Sequence, residues 1–172
     1  VAVQGFGAVG QHAARFLAAK GAVLVAASDS NGMIADPKGL DIEALVALKR
    51  DGKGLHDAPK VKKLARDEIV DVPCDIWIPA ARPDVVNEQN VQQLKTKLVV
   101  QGANIPFTVG AEKILHERGV LVVPDFIANA GGVICAAMEY HGASQLAAFA
   151  VIEEKLRANT REVLEQVKQK GM

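Results

Sequence analysis

Short apolar runs recur along the chain and are separated by longer segments in which apolar residues return with a helical period. Runs of this length, with few polar positions, are typical of strands buried on both faces of a parallel sheet. We predict such strands at residues 1–4, 23–27, 75–79, 98–101 and 120–123. A further short strand is predicted at 61–64.

The segments between the runs carry helix signals. Asp41 and Thr108 are suited to cap helix N-termini, since their side-chain oxygens can accept hydrogen bonds from the first turn. Helices are predicted at 11–20, 42–50, 87–94, 109–118, 130–140 and 144–170, with a single turn at 67–70. The segments 30–39 and 51–60 are rich in turn-forming residues and are predicted as loops.

Strands that alternate with helices predict parallel β-α-β units. We therefore expect an α/β fold with a doubly wound, mostly parallel sheet, helices on both faces and an additional C-terminal helix. A length of 172 residues fits one domain, 1–172. Because a core strand stands at residue 1 without a preceding methionine, we expect the domain to be excised from a longer chain.

The first predicted strand runs directly into a glycine-rich turn, Gln4-Gly-Phe-Gly-Ala-Val-Gly10. In the G-x-G-x-x-G spacing, Gly5 allows a tight turn, Gly7 lets the backbone approach a pyrophosphate, and Gly10 lets the next helix pack closely. The helix N-terminus then offers N–H groups to the phosphates. We predict a Rossmann-type dinucleotide site formed by Gly5, Phe6, Gly7, Ala8, Val9 and Gly10. The alternative is a purely structural turn.

An acidic residue follows the second predicted strand, 19 residues after Gly10. A carboxylate at this place can accept hydrogen bonds from the adenine ribose, so Asp29 and its neighbour Ser30 are predicted to bind there. The alternative for Asp29 is a turn residue or a helix cap. Because a carboxylate repels a 2′-phosphate, we predict NAD as the cofactor; NADP is possible, since Ser30 and Asn31 can help to accommodate a phosphate.

Composition excludes several functional classes. Hydrophobic residues make up 49% of the chain, which excludes disorder. With 20 basic and 20 acidic residues and no basic block, neither nucleic acid nor a membrane surface is predicted as a partner. The two cysteines are expected to be small buried residues, free in a reducing cytoplasm; the alternative is a disulfide or a metal pair. The four histidines lack the spacing of metal ligands, so no metal is predicted and each histidine is expected on the surface.

Small or polar residues also follow the later predicted strands, where ligands bind to open α/β sheets. Taken in order, these segments resemble the cofactor-binding domain of the glutamate dehydrogenase family, which includes leucine, phenylalanine and valine dehydrogenases. The resemblance spans almost the whole chain and is carried by Gln4–Gly10, Ser28-Asp-Ser30, Ile78-Pro-Ala-Ala81, Gln101-Gly-Ala-Asn104 and Pro124–Val133.

The resemblance implies roles for four more residues. Ala80 and Ala81 would line the adenosine side, Asn104 would lie near the nicotinamide ribose, and Asn129 would lie near the carboxamide. The residues themselves also allow close packing for the alanines and a turn or cap role for the asparagines.

The resemblance further implies oxidation of an amino acid to a 2-oxo acid and ammonia, with hydride transfer to the nicotinamide. In the family, the acid–base lysine and aspartate belong to a separate N-terminal substrate domain, which also carries most of the oligomer contacts. No matching segment occurs in this chain. We therefore predict no catalytic residue here, no turnover by the chain alone, and a homo-oligomer for the full-length protein.

The substrate is open to interpretation. Glutamate is favoured, but Ala136 stands near the place where glutamate-specific members carry a serine, which favours the leucine, phenylalanine or valine enzymes. A third interpretation is a non-catalytic module that senses the nucleotide.

Overall fold

The computed structural model describes residues 1–170; the last two residues of the predicted domain lie outside the described part. Within it, seven strands form one sheet in the order β4-β3-β2-β1-β5-β6-β7. The strands are β1 (Ala2–Gln4), β2 (Ala26–Asp29), β3 (Gly32–Ala35), β4 (Lys62–Leu64), β5 (Ile76–Pro79), β6 (Leu98–Val100) and β7 (Leu121–Val123).

The helices connect and cover these strands. They are α1 (Ala8–Ala18), α2 (Ile42–Arg50), α3 (Val109–Glu117), α4 (Asp125–Ala128), α5 (Gly131–Tyr140) and α6 (Gln145–Lys170), with 3-10 turns at Leu55–Asp57, Arg66–Asp71 and Val91–Gln93. Both predicted caps are confirmed, because Asp41 accepts from Ala44 N at 3.0 Å and Thr108 accepts from Ala111 N at 3.2 Å. Among residues 1–170, no helix is both long and apolar enough to cross a membrane.

The predicted fold class is confirmed. Strand β1 pairs in parallel with β2 on one side and with β5 on the other, and β6 and β7 continue the parallel sheet. The chain therefore leaves β1 in one direction along the sheet and later returns to its opposite side. In such sheets a crevice forms at the carboxyl ends of the strands where the order reverses.

Alternate residues of β1 enter separate cores on the two faces of the sheet. Ala2 packs in a cluster with Trp77 and Leu115, and Val3 packs in the other cluster with Phe6. The buried indole of Trp77 donates to Ile69 O at 3.0 Å, so its polar atom is satisfied. Both faces of β1 are therefore covered, as its apolar run predicts.

The prediction of a loop over 30–39 was wrong, because this segment contains β3. Strand β3 runs antiparallel to β2, with Asp29 opposite Gly32, so only Ser30 and Asn31 connect the two strands. The second connecting residue and the first residue of β3 read Asn31-Gly32, and an Asn-Gly pair is a hairpin signal. The strand after it has four residues, too few for an alternation pattern to show.

Other differences concern boundaries. Strand β2 begins at Ala26 rather than at residue 23, and α1 begins at Ala8 rather than at residue 11. The predicted helix at 87–94 is reduced to a 3-10 turn at Val91–Gln93, although Asn87 accepts from Gln89 N at 2.9 Å. The extra helix α4 occupies a segment whose sequence shows no helical period, because it is a single turn.

Candidate nucleotide-binding site

The glycine-rich turn joins β1 to α1, and two of its glycines are required by the fold. Gly5 has φ +96°, and a Cβ atom there would lie 2.6 Å from Ala81 Cβ. At Gly10 a Cβ atom would lie 2.0 Å from Gly5 O, so the helix could not pack as it does. Gly7 is different, since it is exposed and a Cβ atom there would meet nothing within 4 Å. The space beside Gly7 is therefore open to a ligand.

The first N–H groups of the turn are hydrogen-bonded within the protein, whereas those at the start of α1 have no acceptor in the helix. Gly5 and Phe6 donate to Ser28 O at 3.0 and 2.8 Å, which fastens the turn to β2. The first hydrogen bond within α1 runs from Gln11 N to Gly7 O, at 2.9 Å. The N–H groups of residues 8–10 thus lack acceptors within the helix, and in the described chain no side chain caps them. Such a helix end attracts anions.

A cavity of about 420 Å³ opens beside the turn. Seven of the twelve predicted site residues line it: Gly5, Phe6, Gly7, Asp29, Ser30, Ala80 and Ala81. The other five lining residues were not predicted as site residues: Gln4, Ser28, Lys49, Arg66 and Arg82. The three basic residues among them come from a helix end, a 3-10 turn and a loop, and no spacing in the sequence relates them.

Asp29 is held tightly by the protein, with its side chain only 6% exposed. One carboxylate oxygen accepts from Lys49 Nζ and from Leu55 N, both at 2.9 Å. The other accepts from Asn31 N at 2.9 Å. Burial alone would raise the pKa of Asp29, but the hydrogen bonds from Leu55, Lys49 and Asn31 outweigh it and lower that pKa. Asp29 therefore acts as a turn residue, which was the alternative interpretation. Its binding to the ribose stays a prediction.

The two alanines after β5 both pack against the turn and border the cavity. Ala80 N donates to Gln4 O at 2.7 Å, which continues the pairing of β5 with β1. The backbone of Ala80 and the methyl group of Ala81 lie closest to the Cβ position of Gly5. A larger side chain at Ala81 would therefore press on the turn, so Ala81 both packs against the turn and lines the cavity.

The two predicted asparagines meet at the other end of the site. They follow β6 and β7, and Asn129 Nδ2 donates to Asn104 Oδ1 at 2.6 Å. The preceding loop lies against the turn region, because Gly102 N donates to Pro79 O at 2.9 Å and the Cβ position of Gly102 is 3.3 Å from Val9 Cγ1. A continuous edge therefore runs from Asp29 past the turn to the asparagine pair.

The remaining chemistry-bearing residues form no second centre in residues 1–170. Cys74 and Cys135 are free there, as predicted, but they are half-buried and not fully buried. No group of three or more His, Cys, Asp or Glu side chains in this range is arranged to hold a metal ion. The predicted surface position of His56 is wrong, because its side chain is half-buried and its Nε2 atom lies 3.0 Å from Leu64 O and 3.1 Å from Met33 O.

The parallel sheet with a glycine-rich turn at its reversal point defines a Rossmann-type α/β domain. The chain belongs to the Glutamate/Leucine/Phenylalanine/Valine dehydrogenase family, which matches residues 1–172. The resemblance drawn from its motifs is thereby confirmed.

Individual relatives agree with this assignment. The chain is 43% identical to a glutamate dehydrogenase of Aeropyrum pernix, over 98% of this chain and 40% of the relative. It is 39% identical to an NADP-specific glutamate dehydrogenase of Saccharolobus shibatae (81% of this chain, 33% of the relative). It is also 39% identical to an NAD-specific glutamate dehydrogenase of Staphylococcus aureus (96% and 39%). The chain thus spans less than half the length of these relatives.

A solved structure shows the same fold. The hetero-hexameric glutamate dehydrogenase from Thermus thermophilus, in its leucine-bound form, superposes with a TM-score of 0.85 at 25% identity. The match covers 99% of this chain and 42% of that one.

Proposed function

We propose that this chain binds a nicotinamide dinucleotide along the carboxyl edge of its sheet. The pyrophosphate lies over Gly7 at the N-terminus of α1, and the adenosine occupies the cavity between Asp29 and Ala81. The observation that supports this most is the open space at Gly7, a glycine that the fold itself does not require. Main-chain N–H groups at a helix end then face the phosphates.

The nicotinamide end of the dinucleotide lies at the asparagine pair. The bond from Asn129 Nδ2 to Asn104 Oδ1 uses neither Asn104 Nδ2 nor Asn129 Oδ1, so the pair presents an unused amide donor group and an unused acceptor beside it. A primary carboxamide also has one acceptor and one donor group. The two asparagines therefore complement the nicotinamide carboxamide.

We propose that the chain, residues 1–172, is the cofactor domain of an NAD(P)-dependent amino acid dehydrogenase with glutamate as substrate. The relatives named above support glutamate over leucine, phenylalanine or valine, and family membership favours an enzyme over a nucleotide-sensing module. The acid–base groups and most oligomer contacts lie outside this chain. Alone, it is expected to bind the cofactor without oxidising glutamate, which an assay for NADH formation tests.

NADP is a second candidate cofactor beside NAD. Asp29 argues for NAD, but Lys49 compensates its charge at 2.9 Å, and Arg66 and Arg82 line the same cavity. Basic side chains favour a 2′-phosphate, so the preference for NAD is expected to be small, within about tenfold in Kd. Calorimetric titration of both dinucleotides measures this ratio, and tighter binding of NADP would reject the preference.

A matched pair of glycine substitutions tests the site. Gly7→Ala places a methyl group in open space, so we expect a folded protein that binds NADH at least about tenfold more weakly. Gly10→Ala forces a methyl group onto Gly5 O and is expected to destabilise the fold by several kcal/mol, about 3 or more.

The readouts for this pair are the fluorescence of bound NADH and the far-ultraviolet circular dichroism of each variant. Unchanged NADH affinity in a folded Gly7→Ala protein would reject the proposed pyrophosphate position. Stable folding of Gly10→Ala with normal affinity would show that the turn is not as close-packed as described.

A further inference from the structure

A closed ring of hydrogen bonds connects the asparagine pair through Asp125, the first residue of α4. Asp125 Oδ2 accepts from Ile105 N at 2.7 Å, next to Asn104 in the chain. Asn129 N donates to Asp125 O at 2.8 Å, so Asn129 lies one helical turn further on. The bond from Asn129 Nδ2 to Asn104 Oδ1 closes the ring. The two asparagines are thereby tied to a single carboxylate-bearing residue.

The backbone beside Asn104 adopts an unfavourable conformation that this ring maintains. Ile105 has φ +46°, which is rare for a β-branched residue. Its side chain is 66% exposed, so packing does not impose this conformation. Instead, both main-chain polar groups of Ile105 are hydrogen-bonded. Its N–H donates to Asp125, and its C=O accepts from Asp84 N at 2.9 Å. Loss of the Asp125 carboxylate would free one of these two anchors.

Asp125 is itself held in place from the core. Gln101 is 1% exposed, and its Oε1 accepts from Asp125 N at 2.9 Å. The Nε2 atom of Gln101 donates to Glu112 Oε1 on α3 at 3.1 Å. The second carboxylate oxygen of Asp125 accepts from Phe126 N at 2.7 Å. Both side-chain oxygens of Asp125 and its main-chain N–H group therefore have protein partners.

We propose that Asp125 is a positioning residue for the nicotinamide end of the cofactor. It orients Asn104 through Ile105 N and Asn129 through the turn of α4, so the remaining donor and acceptor of the pair face the carboxamide together. Gln101 fixes Asp125 to the sheet edge. This inference rests on the proposed function, because it assigns a purpose to an arrangement at the proposed cofactor site.

The test compares two ligands that differ only at the nicotinamide end. ADP-ribose contains the adenosine, the pyrophosphate and the second ribose, but no nicotinamide. In Asp125→Ala we expect the Kd of NADH to rise about tenfold and the Kd of ADP-ribose to change less than about twofold. Asn129→Ala is expected to give the same pattern, and the double variant little additional loss, because both substitutions break one ring.

Asp41→Ala is the matched control, since Asp41 also accepts from a backbone N–H at a helix N-terminus but caps α2, a different helix. It is expected to lower the melting temperature without changing the ratio of the two Kd values. Should Asp125→Ala not fold, Asp125→Asn retains one acceptor, and about a threefold rise for NADH alone is then expected.

The outcomes separate this proposal from the proposed function. Equal losses for both ligands in the Asp125 variants, or no loss for either, would overturn the positioning role while the site stands. A parent chain that binds neither ADP-ribose nor NADH would overturn the proposed function, and the positioning role with it.

Discussion

The two ends of the proposed cofactor site are built in contrasting ways. At the adenosine end, Asp29 is buried and bonded to a lysine and to two backbone N–H groups, so the carboxylate predicted to bind the ribose also holds the fold together. At the nicotinamide end, Asn104 is exposed and bonds through its side chain to Asn129. A substitution at the first end therefore alters stability and binding together, whereas one at the second end can alter binding alone.

The position of each end in the sheet explains this difference. Asp29 ends β2, which is flanked by β1 and β3 and covered by the 3-10 turn at Leu55–Asp57. A charge there needs compensation, because uncompensated buried charges are costly. The asparagines follow β6 and β7, and β7 is the edge strand of the described sheet. Neutral amides at that edge keep access to water and need no such compensation.

The largest expected effect that separates the ends is a loss of stability in Asp29→Ala. The substitution leaves Lys49 without its partner and the N–H of the buried Leu55 without an acceptor, which should cost about 3 kcal/mol of unfolding free energy. Urea unfolding followed by the fluorescence of buried Trp77 measures it.

Asp36→Ala is the matched control for that experiment. Asp36 accepts from Lys38 N in an exposed turn, and its loss should cost less than about 0.5 kcal/mol. Equal losses of unfolding free energy in Asp29→Ala and Asp36→Ala would show that the adenosine end is not specially important for stability.

The next effect is a dependence of stability on pH that belongs to the adenosine end. The pKa of Asp29 is lower in the folded chain than in the unfolded chain. Its contribution to stability is therefore fully present above the ordinary aspartate pKa, about 3.9, and is lost as pH falls through the lowered value. The parent chain should lose more stability on acidification than Asp29→Asn does, as urea midpoints across this range will show.

Exposed ion pairs are the control for this pH dependence. Hydrogen bonding to Lys97 also lowers the pKa of Asp75, but both side chains are largely exposed, so high salt should screen that contribution. The two chains are therefore compared in high salt. If Asp29→Asn and the parent chain then lose the same stability on acidification, the role assigned to Asp29 is contradicted.

Lys49→Gln should give a smaller effect and should sharpen the question of the cofactor. The glutamine amide still donates to Asp29, so we expect a loss of only about 1 kcal/mol in stability. Removing the positive charge should weaken NADP binding about fivefold more than NAD binding, because only NADP carries the 2′-phosphate. Equal losses for the two dinucleotides in calorimetric titration would show that Lys49 does not face that phosphate.

The smallest change in stability is expected for Asn104→Ala at the open end. Its side chain is exposed, so the unfolding free energy should stay within about 0.5 kcal/mol of the parent value. NADH binding should nevertheless weaken about tenfold, as in Asn129→Ala, because loss of the Asn104 amide breaks the same ring. A loss of stability as large as that in Asp29→Ala would mean that the asparagine pair is structural.

Local patterns in the sequence determined the parallel core, the glycine turn, both helix caps and the order of the site segments along the edge. Each of these depends on residues that are neighbours in the chain or on the period of one element. Strand β3 was not predicted because its four residues show no period, although the Asn31-Gly32 pair at its start is a local hairpin signal.

Only the tertiary structure decided what the polar residues of the site contact. Lys49 and Leu55 meet Asp29 across 20 and 26 residues of chain, and Asp125 meets Ile105 across 20. Pairings of this kind depend on how separate strands and loops are placed by the sheet, and no residue spacing encodes them. The sequence therefore determined where the proposed ligand site lies, and the packing of the sheet decided which polar groups there are already bonded within the protein.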